Sequence, residues 1–133
     1  MANRIFEYGM IIKEFHLDTF GHVNNATYLQ IYEEARWQFI TENGYGLEKI
    51  KATGLGPVIL ELNIRFMREL RLREKITIHS QTGEYSSKVG TIKQWITDSE
   101  GNICSETEMK IGLFDTRRRK LVEPTEDWQK AIK

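Results

Sequence analysis

A single helical pattern, followed by a run of strand patterns, constrains the fold of this chain more than any other feature. Apolar residues at helical spacing form one stripe: Tyr28, Ile31, Tyr32, Ala35 and Phe39. Residues 58–66 then alternate apolar and polar side chains, and further strand patterns follow. Strands that come in runs, rather than alternating with helices, are typical of an α+β fold with a mostly antiparallel sheet.

Five strands are predicted around that helix. Their approximate ranges are 6–12, 58–66, 75–79, 89–97 and 103–114, with a turn over 83–87 and a hairpin loop over 98–102. The tail, 126–133, is predicted to be a short helix or a frayed end. A length of 133 residues fits one domain, 1–133, whose core needs neither disulfides nor a structural metal.

Composition excludes several classes of function. Nineteen basic and nineteen acidic side chains give a formal net charge of zero, which argues against broad electrostatic binding of nucleic acid or of an anionic membrane. No stretch approaches a membrane span. The single cysteine, Cys104, cannot form an internal disulfide, and three scattered histidines lack metal-ligand spacing. We therefore expect a cytoplasmic protein with no metal and no cofactor.

The loop before the helix contains the residues best suited to catalysis. Asn25 is the predicted N-cap, so the amides from Ala26 onward lack partners within the helix and carry partial positive charge. Such amides are suited to holding the oxyanion formed when a carbonyl is attacked. Asp18, a few residues earlier, is suited to act as a nucleophile or a general base. Spacing alone leaves a second interpretation open, in which Asp18 only caps a turn.

Three segments carry a family resemblance. They read D-x-x-G-H-V-N-N-x-x-Y-L from residue 18, E-E-A-R-W from residue 33 and P-V-x-L-E-L-N-I-R-F from residue 57. These motifs closely resemble the 4-hydroxybenzoyl-CoA thioesterase family of hotdog proteins, and they are most similar to its branch acting on medium- and long-chain acyl-CoA. The whole chain fits one domain of that family.

The resemblance implies a fold, an activity and two catalytic groups. The fold is a curved five-stranded antiparallel sheet wrapped around one long central helix. Asp18 is the implied catalytic carboxylate, as nucleophile or general base, and the backbone N–H of Asn25 polarises the thioester carbonyl. Family dimers join their sheets edge to edge, often pair into tetramers, and form active sites at the subunit interface.

Other residues near the motif have both a functional and a structural interpretation. His22 either orients Asp18 or a water, or donates a structural hydrogen bond. Asn24 is either a turn residue or a side-chain donor to the acyl carbonyl. Tyr28 is expected to pack in the core with its hydroxyl within reach of the site.

Two further groups are candidates for binding the CoA part of a substrate. Arg65 begins a series of arginines suited to phosphate groups, although such runs are usually solvated. Lys88 and Gly90 are expected to cradle the pantetheine, by family resemblance alone. Glu33 and Glu34 rank behind Asp18 as catalytic carboxylates. Trp37 lies opposite the apolar stripe, which indicates a second buried contact such as a subunit interface.

The expected activity is hydrolysis of an acyl-CoA to the free acid and CoA. Two alternatives stay open: a module that binds acyl carriers or partner proteins without catalysis, and a hydratase or dehydratase that uses His22. Acyl-chain length, aromatic or aliphatic preference, and the choice between CoA and acyl carrier protein are not fixed by the sequence. Neither is the choice between a homodimer and a homotetramer.

Overall fold

The computed structural model describes residues 2–133, which form a six-stranded sheet and three α-helices. The strands are β1 (Ile5–Ile11), β2 (Leu55–Phe66), β3 (Lys75–Ser86), β4 (Val89–Thr97), β5 (Ile103–Asp115) and β6 (Lys120–Val122). The helices are α1 (Asn25–Glu42), α2 (Leu47–Thr53) and α3 (Glu126–Ile132), and one 3₁₀ turn covers Glu14–His16. The predicted α+β fold is confirmed.

The sheet is antiparallel throughout, and its strand order is β1-β3-β4-β5-β2, with β6 paired to β5. Consecutive strands β3, β4 and β5 are neighbours, whereas β2 crosses over to pair with the far side of β5. Both β1 and β2 are therefore edge strands. An edge strand presents a row of N–H and C=O groups without ladder partners, which makes it a template for pairing with another chain.

The apolar stripe of α1 lies against the sheet. Tyr28, Ile31, Tyr32, Ala35 and Phe39 are all buried, as predicted. They meet the inner residues of the central strands, among them Ile78, Ile92 and Ile96, each at most 1% exposed. Full burial of each such side chain contributes about 1.5–3 kcal/mol. The helix packs mainly on β1, β3 and α3, so it leaves the inner face of β2 largely uncovered.

Three local features differ from the sequence-based expectations. Helix α2 occupies a segment that was not predicted to be helical, because the helix is only seven residues long. It ends at Gly54, whose backbone is in the left-handed region. Strand β3 continues through the predicted turn to Ser86. A bulge between Thr82 and Tyr85, which includes Gly83, accommodates one extra residue in β3, so the turn lies at Ser87 and Lys88. The sheet has a sixth strand where five were predicted: the short strand β6, which begins directly after Arg119.

Among the helices of residues 2–133, none has both the length and the apolar character that a membrane span needs.

Candidate active site at the start of the long helix

Asp18 organises a tight turn in front of α1. The turn is closed by a bridge between Leu17 and Val23, and the Asp18 amide donates to the His22 carbonyl at 2.8 Å. One carboxylate oxygen, Oδ1, accepts hydrogen bonds from the amides of Phe20 (2.9 Å) and His22 (3.1 Å). Half-buried Asp18 therefore faces the backbone of its own turn with one oxygen.

The same turn occurs a second time in the chain, at the hairpin between β4 and β5. Asp98 Oδ1 accepts from the amides of Glu100 (3.0 Å) and Asn102 (2.9 Å), two and four residues ahead, as Asp18 Oδ1 does. Gly21 and Gly101 take matching left-handed φ angles, 80° and 83°. The local geometry of Asp18 is therefore that of an ordinary turn.

What differs between the two turns is the second carboxylate oxygen. Asp98 Oδ2 accepts from the Asn102 side chain at 3.1 Å and lies 3.8 Å from Arg68. Hydrogen bonds from the Asn102 and Glu100 amides, together with Arg68, hold the pKa of Asp98 below its usual range. For Asp18, no donor among residues 2–133 forms a hydrogen bond or ion pair with Oδ2. Oδ2 of Asp18 is therefore free within the described residues, whereas Oδ2 of Asp98 is engaged.

The helix starts one residue earlier than predicted, so Asn25 is not the N-cap. Asn24 is the cap: its backbone is extended, its side-chain oxygen accepts from the Ala26 amide at 2.9 Å, and its carbonyl accepts from Thr27. This leaves the Asn25 amide, at the first helical position, without an acceptor in the described part of the chain. The free donor is therefore the backbone amide of Asn25, because the amide of Ala26 already donates to the Asn24 side chain.

An open cleft of about 510 Å³ lies beside this helix start. It is lined by the helix entrance and by the connection from β2 to β3, through His22, Val23, Asn25, Tyr28, Phe66, Met67, Arg68 and Glu69. The ring of buried Tyr28 packs edge-on against Phe66, with centroids 4.9 Å apart. Burial raises the pKa of Tyr28, so its phenol stays protonated.

His22 and Glu69 connect the two walls of the cleft. His22 Nε2 lies 3.4 Å from Glu69 Oε1. Asp18 itself does not line the cleft, whereas His22 of the same turn does, and the His22 amide donates to Asp18. Glu69 was missed from the sequence, because it stands between Arg68 and Arg71 in a segment that reads as a solvated basic run.

Three residues predicted to bind CoA lie away from this cleft in one chain. Arg65 points to the face of β2 opposite Phe66, where it pairs with Glu106 at 3.0 Å. Gly90 pairs with Ile111, which pairs with Ile59, seven residues along β2 from Phe66. Seven strand residues span about 23 Å, so Gly90 and neighbouring Lys88 lie at the other end of the sheet.

Gly90 has a packing role within its own chain. A Cβ at this position would overlap the ring of Tyr85, which lies directly over the glycine. The absence of a side chain at Gly90 therefore allows that ring to cover the strand.

Glu34 faces Tyr8, whose pKa is raised by burial and by this carboxylate, on the β1 side of α1 and away from the cleft. Across residues 2–133, no three His, Cys, Asp or Glu side chains come together in a way that could hold a metal ion.

Comparison with known proteins places this chain in a superfamily. Residues 14–132 match the Thioesterase-like superfamily. The long-chain acyl-CoA thioesterase FadM of Escherichia coli strain K12 is 33% identical over 110 residues, which cover 82% of this chain and 83% of FadM. The crystal structure of the probable thioesterase YbaW of E. coli matches with a TM-score of 0.81 and 28% identity, over 94% of each chain.

A more distant structure shows the fold alone. A Staphylococcus aureus protein solved in complex with CoA matches with a TM-score of 0.89 and 18% identity, over 98% of this chain and 83% of that one. The resemblance is confirmed at the level of the superfamily, whereas membership of the 4-hydroxybenzoyl-CoA thioesterase family stays a prediction. The chain belongs to the thioesterase-like superfamily and has the hotdog fold.

Proposed function

We propose that this chain is an acyl-CoA thioesterase that hydrolyses an acyl-CoA to the free acid and CoA. The observation that carries the proposal is the unpaired amide of Asn25, a residue that lines the cleft, directly follows the cap and lies close to the Asp18 turn. The printed name of FadM, a long-chain acyl-CoA thioesterase, supports the substrate class. The CoA complex of the S. aureus protein supports CoA as the carrier.

The Asn25 amide is assigned to the thioester carbonyl. Attack on that carbonyl moves negative charge onto its oxygen. A free N–H at the positive end of an eighteen-residue helix stabilises this charge, and it is already oriented before the reaction begins. Asn24 contributes indirectly, because its cap fixes the first turn of α1.

Asp18 is assigned the role of general base or nucleophile through Oδ2. As a base it takes a proton from water while the water oxygen bonds to the acyl carbon. Collapse of the tetrahedral intermediate then breaks the C–S bond, and the proton held by Asp18 passes to the sulfur, so that CoA leaves as the thiol. As a nucleophile, Asp18 bonds to the acyl carbon, the C–S bond breaks and CoA leaves, and water then opens the resulting acyl anhydride to give the free acid and the Asp18 carboxylate. His22, which joins the turn to the cleft wall, is assigned to orient the carboxylate or the attacking water.

A second copy of the chain is part of the proposal, as a homodimer joined through β2 or as a tetramer of two such dimers. Strand β2 is an edge with exposed apolar side chains, including Leu60 (46%) and Leu62 (38%). Antiparallel pairing of two β2 strands about a two-fold axis brings the Ile59 end of one copy towards the Phe66 end of the other. Lys88 and Gly90 of the second copy then approach the cleft of the first.

Free-thiol detection tests the activity. The protein is incubated with acyl-CoAs of increasing chain length and with an aromatic acyl-CoA, and CoA release is followed with a thiol reagent. We expect turnover with at least one of these substrates, and a parallel series of acyl carrier protein thioesters tests the choice of carrier. Absence of CoA release from every substrate would indicate a binding module, and water addition to an enoyl-CoA would indicate a hydratase.

Replacement of Gly21 by Ala tests whether the shape of the Asp18 turn matters for turnover. Gly21 has a φ of 80° and open space where a Cβ would go, so the cost is backbone strain alone, about 1–2 kcal/mol. Gly101→Ala is the matched control, with a φ of 83° and the same open space. We expect denaturant unfolding to show similar destabilisation in both variants and CoA release to fall only for Gly21→Ala. Equal kcat values in the two variants would argue against the role of the turn.

A further inference from the structure

The side chains of His22 and Glu69 face each other across the cleft. His22 Nε2 lies 3.4 Å from Glu69 Oε1, and both residues line the cleft. Among residues 2–133, the Glu69 carboxylate forms no other ion pair and no side-chain hydrogen bond. The guanidinium of neighbouring Arg68 lies 3.8 Å from Asp98 instead. Within the described chain, the imidazole is therefore the one ionic partner of this carboxylate.

Buried neighbours fix the positions of both residues, although their side chains are 64% and 52% exposed. Val23 follows His22, Leu70 follows Glu69, and both of these apolar residues belong to the same buried cluster. The backbone just before Glu69 is held as well, because the amide of Arg68 donates to a carbonyl of β5 at 3.0 Å. An exposed ion pair contributes little to stability, so a change at Glu69 is not expected to unfold the protein.

The contact with Glu69 selects one form of the neutral His22 imidazole. A neutral histidine has one N–H donor and one acceptor nitrogen. A carboxylate accepts hydrogen bonds and donates none, so Glu69 favours the form with the hydrogen on Nε2. Nδ1 is then an acceptor and has no hydrogen to donate to Asp18. This form can orient a water through Nδ1, whereas its side chain has no donor left to orient the carboxylate.

The Asp18 turn holds a second acceptor close to this nitrogen in sequence and in structure. The His22 amide donates to Asp18 Oδ1 at 3.1 Å, so the imidazole and the other carboxylate oxygen belong to one short turn. In the part of the chain that the structure describes, neither Asp18 Oδ2 nor His22 Nδ1 receives a hydrogen bond. Two acceptors cannot serve each other, but a water molecule has two hydrogens and can serve both.

We infer that Glu69 is a positioning residue, which makes His22 Nδ1 an acceptor that holds the attacking water against Asp18 Oδ2. The inference rests on the proposed hydrolysis. The water donates one hydrogen to each acceptor, and its lone pair faces the acyl carbon. On attack, the O–H bond directed at Oδ2 breaks, its proton passes to Asp18, and the water oxygen bonds to the acyl carbon. The C–S bond then breaks, and Asp18 returns the proton to the sulfur of CoA.

Reversing the hydrogen-bonding character of residue 69 tests the inference. Glu69→Gln keeps an oxygen that accepts from Nε2, whereas the ammonium group of Glu69→Lys only donates. The form of His22 is read from long-range proton–nitrogen correlation spectra of the nitrogen-labelled protein, at a pH where the imidazole is neutral. The His22→Asn variant identifies its signals. We expect the hydrogen on Nε2 in wild type and in Glu69→Gln, and on Nδ1 in Glu69→Lys.

Steady-state kinetics of the same variants connect this form to turnover. We expect kcat for acyl-CoA hydrolysis to stay within a few-fold of wild type in Glu69→Gln. In Glu69→Lys it is expected to fall about ten- to a hundred-fold, as for a misplaced reacting group. His22→Asn keeps an acceptor oxygen near the place of Nδ1 but does not reach Glu69. In that background, Glu69→Lys is expected to have no further effect on kcat.

Glu100→Lys is the matched control. Glu100 borders the same neighbouring depression as Glu69 and undergoes the same change of charge, but it forms no ion pair with a histidine of the described chain. We expect this variant to leave both the form of His22 and kcat unchanged. It therefore separates the contact with His22 from a general effect of positive charge near the cleft.

The contrary results are distinct. If His22 kept its hydrogen on Nε2 in Glu69→Lys, Glu69 would not select the form of the imidazole, whatever happened to kcat. If the hydrogen moved to Nδ1 and kcat fell no further than in Glu100→Lys, Nδ1 would not hold the water. Either result overturns the inference and leaves the hydrolase standing. A wild-type protein that releases no CoA from any substrate overturns the proposed function together with the inference.

Discussion

Replacing Asp18 by Asn is expected to lower kcat for acyl-CoA hydrolysis by about a hundred- to ten-thousand-fold, the range that general-base catalysis commonly supplies. The side-chain amide keeps an oxygen that accepts from Phe20 and His22, so the turn is preserved. What is lost is the negative charge and the basic Oδ2. CoA release and thermal unfolding, measured on the same sample, separate loss of chemistry from loss of fold.

The second copy of the turn provides a matched control for this change. Asp98→Asn makes the same substitution in the same hydrogen-bonding pattern, at a hairpin whose second oxygen is already engaged. We expect it to cost some stability, because it weakens bonds to a charged acceptor, and to leave kcat unchanged. An Asp18→Asn protein with wild-type turnover would remove Asp18 from the mechanism, whatever the control shows.

Replacing Asn25 by Pro is expected to lower kcat by about a hundred- to a thousand-fold, the usual effect of losing one oxyanion donor. Proline removes the amide hydrogen together with the asparagine side chain, and it is favoured at the first position of a helix. The preceding residue, Asn24, has φ −67° and ψ 150°, which is the extended conformation that a following proline requires. Steady-state kinetics should show the loss in kcat rather than in KM, and circular dichroism should show an intact helix.

The control for this variant is Asn25→Ala, which removes the side chain and keeps the N–H. We expect Asn25→Ala to retain turnover within a few-fold of wild type. If Asn25→Pro and Asn25→Ala had equal kcat values, the oxyanion would have to be held by another donor. If both variants instead lost turnover to the same extent, the loss would be due to the asparagine side chain, which both variants lack.

The fold was predictable because the strongest patterns belong to the elements that form the core. The stripe from Tyr28 to Phe39 is buried as a unit, and the alternation from Val89 to Thr97 is a strand with those bounds. Helix α2 and strand β6 were not predictable from pattern, since both are short. Their positions depend on turns at Gly54 and Arg119 with positive φ angles.

The site was predictable only in part, for physical reasons that differ from residue to residue. Asn24 and Asn25 are equally good caps by type, and the choice is made by the closed turn that precedes them. Glu69 reaches His22 across two connections that are distant in sequence. The proposed approach of Lys88 and Gly90 to the cleft would need a second chain, and a pattern within one sequence does not specify how two copies meet.

The matched turns at Asp18 and Asp98 show what a local motif can establish. D-x-x-G predicts a backbone shape, and both copies have it. It does not distinguish a reactive carboxylate from a structural one, because that difference lies in what surrounds the second oxygen.

The exposed edge of β2 also affects how the protein behaves during preparation. A twelve-residue strand with apolar groups on display pairs readily with any similar strand, not only with its proper counterpart. Variants that would separate the proposed dimer are therefore expected to precipitate or form mixed oligomers when concentrated, instead of accumulating as monomers. The charged residues Glu61 and Arg65 lie on the outer side of the same strand, where they limit such non-specific strand pairing. Neutralising them should lower the protein concentration at which turbidity begins.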